Sequence, residues 1–329
     1  MIIPSKLKQG DEIRVIAPAR SLSLLKEINI EYAIQKLNSL GFKVSFGKNI
    51  REMDSFMSSP IESRIQDLHE AFADKNVKGI FSVIGGFNSN QLLKYIDYEL
   101  IKNNPKIICG YSDITALCNA ITAKTAMITY SGLHFSSWGM LKHFDYNLEY
   151  FQKCLMQETP FIVNPSKDWS DDGRYKDQEN RNIMENEGYW VINEGVCEGT
   201  IYGGNLCTFN LLQGTEFMPN IENSILFLED DNLVGDSTGL EIDRNLQSII
   251  HLPNFDGVKG IVFGRFQSTS NITQEKMKLI IKSKKELNNI PVLGNVDFGH
   301  TNPMITFPIG GTGKIIANQK ETKIEIISH

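Results

Sequence analysis

The chain has 329 residues, of which 41% are hydrophobic and 22% charged, and it carries a net charge of −6. That length is roughly two domains' worth, and the composition excludes collagen, coiled-coil and disordered classes. The acidic balance argues against a nucleic-acid partner, which calls for a basic stripe facing phosphates.

The five cysteines, Cys109, Cys118, Cys154, Cys197 and Cys207, show no C-x-x-C spacing. They read as small buried hydrophobes in a reducing compartment, not as a disulfide frame or a metal site. Met1 to Lys6 has no charged-then-apolar signal pattern, and no stretch reaches 18 apolar residues. A cytoplasmic protein with no membrane partner is expected.

In chain order, Glu12–Pro18 reads as a strand, Leu24–Leu40 as a helix ended by Gly41, and Lys43–Phe46 as a strand. Ile61–Ala73 follows as an amphipathic helix, Val77–Ile84 as an apolar strand and Asn90–Ile96 as a short helix. Lys106–Cys109 is another buried strand, and Asp113–Ala123 is helical. This alternation predicts a mainly parallel sheet covered by helices, with ligands beyond the carboxyl ends of the strands. Residues 1–160 form the expected first domain. Residues 161–187, polar and aperiodic, are the expected linker or loop.

Residues 188–329 are the expected second α/β domain, richer in strands. Its strands are predicted at Tyr189–Asn193, Val196–Tyr202, Ser224–Leu228, Val258–Phe263, Lys314–Ala317 and Lys323–Ile327. Its helices are predicted at Leu206–Leu212, Thr238–His251 and Thr273–Leu287. The basic run Lys282, Lys284, Lys285 reads as a solvated helix face.

Three strand-ending loops carry candidate chemistry. Gly85 and Gly86 let a backbone turn approach a ligand closely, although a tight turn with Asn90 as helix cap explains the same residues. Gly110-Tyr111-Ser112-Asp113 puts a hydroxyl on a sharp strand-to-helix turn, beside the free N–H groups of a helix start. It lacks the second glycine of G-x-S-x-G, since Ile114 stands there, and a plain helix cap is the blander reading. In the other half, Glu229 ends an apolar strand and His300 sits in a Gly-flanked loop. A base and its orienter need that pair of groups, while taken singly each reads as a loop polar residue. His134, after an apolar strand, is the competing histidine. No H-x-x-x-H or similar ligand spacing appears, so neither metal nor cofactor is expected.

Together the motifs resemble the serine peptidase family of LD-carboxypeptidases, which also contains the microcin C self-immunity proteins. The resemblance covers nearly the whole chain: Ile16-Ala17-Pro18, Gly85-Gly86, Gly110-Tyr111-Ser112-Asp113, Tyr202-Gly203-Gly204-Asn205, Phe227-Leu228-Glu229-Asp230 and Gly299-His300. It implies a flavodoxin-like N-terminal domain joined to a smaller strand-rich α/β domain. It also implies Ser112 as nucleophile, His300 and Glu229 behind it, an oxyanion hole from the N–H groups of Gly86 and Asp113, and a homodimer. Within the family, Gly85 through Leu93 with Tyr95-Ile96-Asp97-Tyr98 looks more like the immunity branch. So does Trp169 through Trp190, which resembles that branch's aromatic loop over a nucleotide. The chain departs at Tyr130-Ser131-Gly132-Leu133, where the family carries Tyr-Gly-Pro.

The expected substrate is an aminoacyl-nucleotide amide with an Asp- or Glu-like acyl group, contacted by Gly85, Asn88, Trp169, Trp190, Gly204 and Asn205. The alternatives are a murein tetrapeptide, or a two-domain ligand-binding protein without turnover.

Overall fold

The computed structural model describes residues 1–173 and 176–329. Strands Glu12–Ile16, Lys43–Phe46, Val77–Ser82, Ile107–Cys109 and Thr129–Ser131 pair in parallel. From the Lys43–Phe46 edge their order is 2-1-3-4-5, the flavodoxin-like arrangement. Strands buried on both faces need continuous apolar runs, and Val77–Ser82 and Ile107–Cys109 supply them. Helices Glu27–Ser39, Ile61–Ala73 and Ile114–Thr125 connect the strands. The last is buried along almost its whole length, because it lies between this sheet and the second one.

The second sheet has eight strands. At its centre Gly195–Asn205, Ser224–Glu229, Gly260–Gly264 and Val292–Val296 run parallel. Thr312–Ala317, Thr322–Ser328 and Phe161–Val163 extend one side antiparallel, and Trp190–Asn193 closes the other. The chain is thus a mixed α/β protein with a parallel-sheet N-terminal domain and a strand-rich C-terminal one.

Two strands cross between the segments 1–160, 161–187 and 188–329. Phe161–Val163, inside the expected linker, pairs with Thr322–Ser328, and Phe307–Ile309 joins the first sheet beside Thr129–Ser131. The proline at 308 disguises the latter as a loop; proline is tolerated there because the strand is an edge. Within 161–187, Asp168–Trp169 also pairs with Met184–Glu185. Residues 174 and 175 of the expected aromatic loop lie outside the described residues.

Other differences are local. The helix expected over Asn90–Ile96 is a single tight turn, Ser89–Leu92, because the N–H groups of Asn88 and Ser89 are drawn to Asp113. The long helix expected over Thr273–Leu287 stops at Lys282, and Lys284 turns inward to pair with Asp243 instead of facing solvent. Val292–Val296, absent from the expected strands, is a fully buried strand, and Tyr98–Asn103 and Asp145–Leu155 are additional helices.

The loop after Val292–Val296 is anchored by a buried ion pair. Asp297, with no exposed surface, accepts from Arg265 at 2.6 Å, the Ser166 hydroxyl at 2.7 Å and the Ser166 N–H at 2.8 Å. Removing one partner of a buried pair leaves the other charge uncompensated, which costs about 3–5 kcal/mol. Asp297→Ala should therefore lower the denaturant-unfolding free energy by about that amount. A change within the error of the unfolding curve would show that this pair does not anchor the loop.

Candidate functional site

Ser112 occupies the turn between the Ile107–Cys109 strand and the Ile114–Thr125 helix with a φ of 58°. Such left-handed backbone is uncommon for serine and persists where its surroundings hold it. Here Tyr111 O accepts from Ile114 N–H at 3.2 Å and Ser112 O from Thr115 N–H at 2.9 Å. The glycine loop after Val77–Ser82 passes directly over this turn. A Cβ on Gly85 would lie 3.0 Å from both Cβ and Oγ of Ser112, so close approach requires glycine.

Asp113 clamps that loop. Its buried carboxylate accepts from Asn88 N–H at 3.0 Å and Ser89 N–H at 2.9 Å, while Ser89 Oγ donates to Asp113 O at 2.6 Å. Burial raises the Asp113 pKa and these hydrogen bonds oppose the rise. Arg64, buried in Ile61–Ala73, adds a second tie by donating to Pro18 O at 3.2 Å and Asn88 O at 3.1 Å. Among the described residues no acceptor takes the N–H of Gly86 or of Asp113.

The carboxylate and imidazole of the site come from the second sheet. Glu229 ends Ser224–Glu229 and is 2% exposed, and His300 stands in the loop after Val292–Val296. His300 Nδ1 lies 2.7 Å from Glu229 Oε2, and His300 Nε2 lies 3.0 Å from Ser112 Oγ. Gly299, at φ +103°, permits this contact: a Cβ there would stand 2.7 Å from Glu229 Oε2. The backbone of Asn302 pairs twice with Ser170, at 2.7 and 2.8 Å, which ties the histidine loop to the Trp169 segment.

Burial pulls the His300 pKa down, but Glu229 outweighs it, helped by Asp231 and Asp230, and the net result is a rise to about 9. Asp230 is raised to about 7 by burial and by the Glu229 and Asp231 charges. A hydroxyl, an imidazole and a buried carboxylate in series can deprotonate the hydroxyl, return the proton to a leaving group and balance the imidazolium.

Two cavities meet this site, and a third borders the first of them. One of about 270 Å³ is lined by Ser112, His300, Gly85, Gly86, Tyr111 and Gln267, among others. A second, of about 290 Å³, holds Ser112, Asp113, Asn205, Asp230, Asp231 and Glu241 in its wall. A third, of about 500 Å³, contains both Trp169 and Trp190 and shares Gln267 with the first. Trp190 is half-buried on its edge strand, packed against the core on one side and open to this cavity on the other, and its indole N–H donates to Glu187 at 2.5 Å. Trp169 lies under the Arg265 guanidinium, 5.2 Å from its ring centre.

The other expected contact residues have structural work. Gly204 packs against Thr115 Oγ1, outside the cavity walls. Asn205 caps the Leu206–Asn210 helix through Thr208 N–H at 2.9 Å and donates to Asp230 at 3.1 Å. Asn88 Oδ1 accepts from Arg64 at 3.2 Å. His134 is buried beside the cleft with Nδ1 2.7 Å from Ser82 Oγ and its ring 4.1 Å from that of Tyr111, while His300 Nε2 is the ring nitrogen 3.0 Å from Ser112 Oγ. Sequence reasoning missed Arg64, Gln267 and Arg20; the loop position of Arg20, just after the Ile16-Ala17-Pro18 strand end, is the signal that could have found it.

Among the described residues no helix is long and apolar enough to cross a membrane, and no His, Cys, Asp and Glu grouping could hold a metal.

The chain is 53% identical to the putative carboxypeptidase YocD of Bacillus subtilis, over 99% of each chain. It is 32% identical to the microcin C7 self-immunity protein MccF of Escherichia coli, over 94% of this chain and 91% of that one. The crystal structure of an MccF-like protein from Bacillus anthracis superimposes with a TM-score of 0.99 at 53% identity, covering all of both chains. MccF has also been solved in complex with aspartyl sulfamoyl adenosine; that structure superimposes with a TM-score of 0.89 at 29% identity, covering 100% of this chain and 99% of that one. Residues 13–132 match the LD-carboxypeptidase N-terminal domain and residues 198–315 the LD-carboxypeptidase C-terminal domain. The chain belongs to the LD-carboxypeptidase family, peptidase family S66, and is a serine hydrolase of that family.

Proposed function

We propose that the chain cleaves an amide bond by acyl transfer through Ser112, His300 and Glu229. The observation that carries this reading is the series from Ser112 Oγ through His300 to Glu229, with links of 3.0 and 2.7 Å. Ser112 Oγ attacks the carbonyl carbon while His300 Nε2 takes its proton. The N–H groups of Gly86 and Asp113 receive the oxyanion. The proton then passes to the leaving nitrogen, the C–N bond breaks, and water releases the acyl group by the same route in reverse. Glu229 holds the imidazole and balances its charge.

The preferred substrate is an aminoacyl-nucleotide amide. The support is the roomy Trp169–Trp190 cavity, joined at Gln267 to the Ser112 cavity, and the aspartyl sulfamoyl adenosine held by MccF. Flat bases stack well on indole. On this reading the chain is of the immunity branch and works as a cytoplasmic homodimer protecting against such a nucleotide antibiotic. A murein tetrapeptide is the second reading, favoured by the carboxypeptidase family itself. A ligand-binding protein without turnover is the third; a fluorophosphonate probe separates it, since a pure binder is not labelled at Ser112.

Ser112→Ala should fold normally and lose about 10³-fold or more in kcat. His300→Ala should be comparably severe and His134→Ala mild. If His134→Ala is the more damaging, the base has been misassigned.

Because Glu229 outweighs burial and raises the His300 pKa to about 9, its base form is the minor one at neutral pH. Turnover at low substrate, kcat/KM, should climb with pH to a plateau above about 9. Glu229→Gln removes the principal upward influence and should move this limb to lower pH while cutting the plateau. The same shift, from 6.5 to about 9, makes the pair's contribution to stability complete below pH 6.5 and lost as pH rises through about 9. An unshifted limb in Glu229→Gln would contradict the charge coupling.

Trp190→Ala should reduce preference for an aminoacyl adenylate over tetrapeptide by roughly ten- to a hundredfold in kcat/KM. Efficient tetrapeptide cleavage without adenylate turnover in the wild type would overturn the branch assignment and leave the Ser–His–Glu mechanism standing.

A further inference from the structure

Ser112 stands in the wall of two cavities that share Asp231 but differ in their balance of charge. His300 lines the first of them and is not in the wall of the second. On the acyl-transfer reading above, on which this inference rests, the leaving nitrogen must reach His300 Nε2 to be protonated. The leaving half of the substrate therefore lies in the first cavity and the acyl half in the second.

The first cavity contains one arginine or lysine, Arg20, and one carboxylate, Asp231, among its described lining residues. It sits in the loop after Glu12–Ile16, beside the loop after Val77–Ser82. Those neighbouring strands mark the point where the strand order reverses, which is where ligands collect in such sheets. The Arg20 stem runs along the oxyanion loop, for a Cβ on Gly86 would lie 3.2 Å from Arg20 Cγ. Its guanidinium rests 4.9 Å from the ring centre of the exposed Phe87. Arg20 makes no ion pair among the described residues, and its buried Nε has no hydrogen-bond acceptor. A guanidinium held in place with its donors unspent is arranged for a carboxylate or phosphoryl oxygen.

The second cavity repels such a group. Asp230, Asp231 and Glu241 line it, and its arginine, Arg244, is already paired with Glu241 at 2.7 Å. A free α-ammonium group suits that wall, and a neutral or basic acyl side chain suits it better than the Asp- or Glu-like one expected from the family resemblance.

We propose that Arg20 binds an anionic group carried next to the scissile nitrogen on the leaving half of the substrate, and so sets specificity. Two sources share this chemistry: the phosphoryl linkage of an aminoacyl nucleotide, and the terminal carboxylate of a released D-amino acid.

The test uses two matched substrate pairs: an aminoacyl phosphoramidate of adenosine against its uncharged amide-linked analogue, and a tetrapeptide ending in D-alanine against the same peptide ending in D-alaninamide. The readout is the ratio of kcat/KM for the charged member to that for the neutral one. Arg20→Gln should lower this ratio by about 10- to 100-fold. Arg20→Lys should keep part of it, since an ammonium retains the charge and loses the fork. Collapse confined to the adenosine pair identifies the phosphoryl group, and collapse confined to the peptide pair the carboxylate. An unchanged ratio for both pairs in folded Arg20→Gln overturns the proposal while wild-type turnover leaves the hydrolase reading intact. If the wild type cleaves neither pair, the substrate reading proposed above fails on its own. Arg20 is then judged by calorimetry of AMP and D-alanine on Ser112→Ala. Adding Arg20→Gln should weaken one of them at least tenfold, and equal binding of both overturns the proposal.

Discussion

The Ser112–His300 contact joins side chains carried by two different sheets, so its length depends on the seam where the sheets meet. That seam is the face of the Ile114–Thr125 helix against the end of the Gly195–Asn205 strand. Asn119 donates to Gly203 O at 2.7 Å and accepts from Gly203 N–H at 3.3 Å, and Thr115 Oγ1 accepts from Asn205 N–H at 2.9 Å. Asn119 has no exposed surface. Buried polar groups of this kind contribute about 1 kcal/mol when paired and cost more when left alone, so they select one docking of the sheets over its neighbours. Thr115 lies on the first turn after Ser112, so the seam is set beside the candidate nucleophile. The covalent chain adds a second constraint. The His300 loop connects Val292–Val296 of one sheet to Phe307–Ile309 of the other, which places the imidazole on the crossover itself.

Electrostatics at this seam is a contest between burial and charge. Glu229 is almost wholly enclosed, and its Oε1 has no hydrogen-bond partner among the described residues. An enclosed carboxylate with one oxygen unsatisfied needs a cation, and His300 is the group it meets at 2.7 Å. The same need raises His300 and, through repulsion among neighbouring carboxylates, Asp230. Glu229 is therefore more than an orienter: it biases the imidazole toward the charged form that the proposed mechanism generates in its first step.

Much of this was legible in the sequence because each element carried its own local signal. The parallel sheet showed as apolar runs alternating with helical periods, Ser112 and Glu229 each stood at a predicted strand end beside glycine or an acidic turn, and His300 stood in a Gly-flanked loop. The family resemblance supplied the grouping, which spacing alone could not, since the three residues are far apart in the chain. What escaped notice lacked a local signature. Phe307–Ile309 is interrupted by proline, Val292–Val296 by glycine and asparagine, and both are strands because of their neighbours in the sheet. Arg64 sits on an ordinary amphipathic helix, where a charge reads as solvent-facing; only tertiary packing turns it inward onto Pro18 and Asn88. Gly204 and Asn205 were expected at the substrate because their motif is part of the resemblance. Their contacts with Thr115 and Asp230 give that motif a structural task of its own.

The placement of these groups follows from one geometric property of parallel sheets. All strands of such a sheet end on the same side, and there the backbone turns and exposes helix starts and free N–H groups. In the first sheet that side bears Arg20 after Glu12–Ile16, Gly85 and Gly86 after Val77–Ser82, and Ser112 after Ile107–Cys109. In the second sheet it bears Asn205 at the end of Gly195–Asn205, Glu229 at the end of Ser224–Glu229, Arg265 after Gly260–Gly264 and His300 after Val292–Val296. The two carboxyl-terminal edges face each other across the cleft, and their charges differ: the first contributes Arg20, the second the cluster of Glu229, Asp230 and Asp231. On the acyl-transfer reading proposed above, a substrate that bridges them would meet Arg20 on one wall and carboxylates on the other, so that its orientation would be decided before the hydroxyl is reached and its leaving nitrogen would face His300.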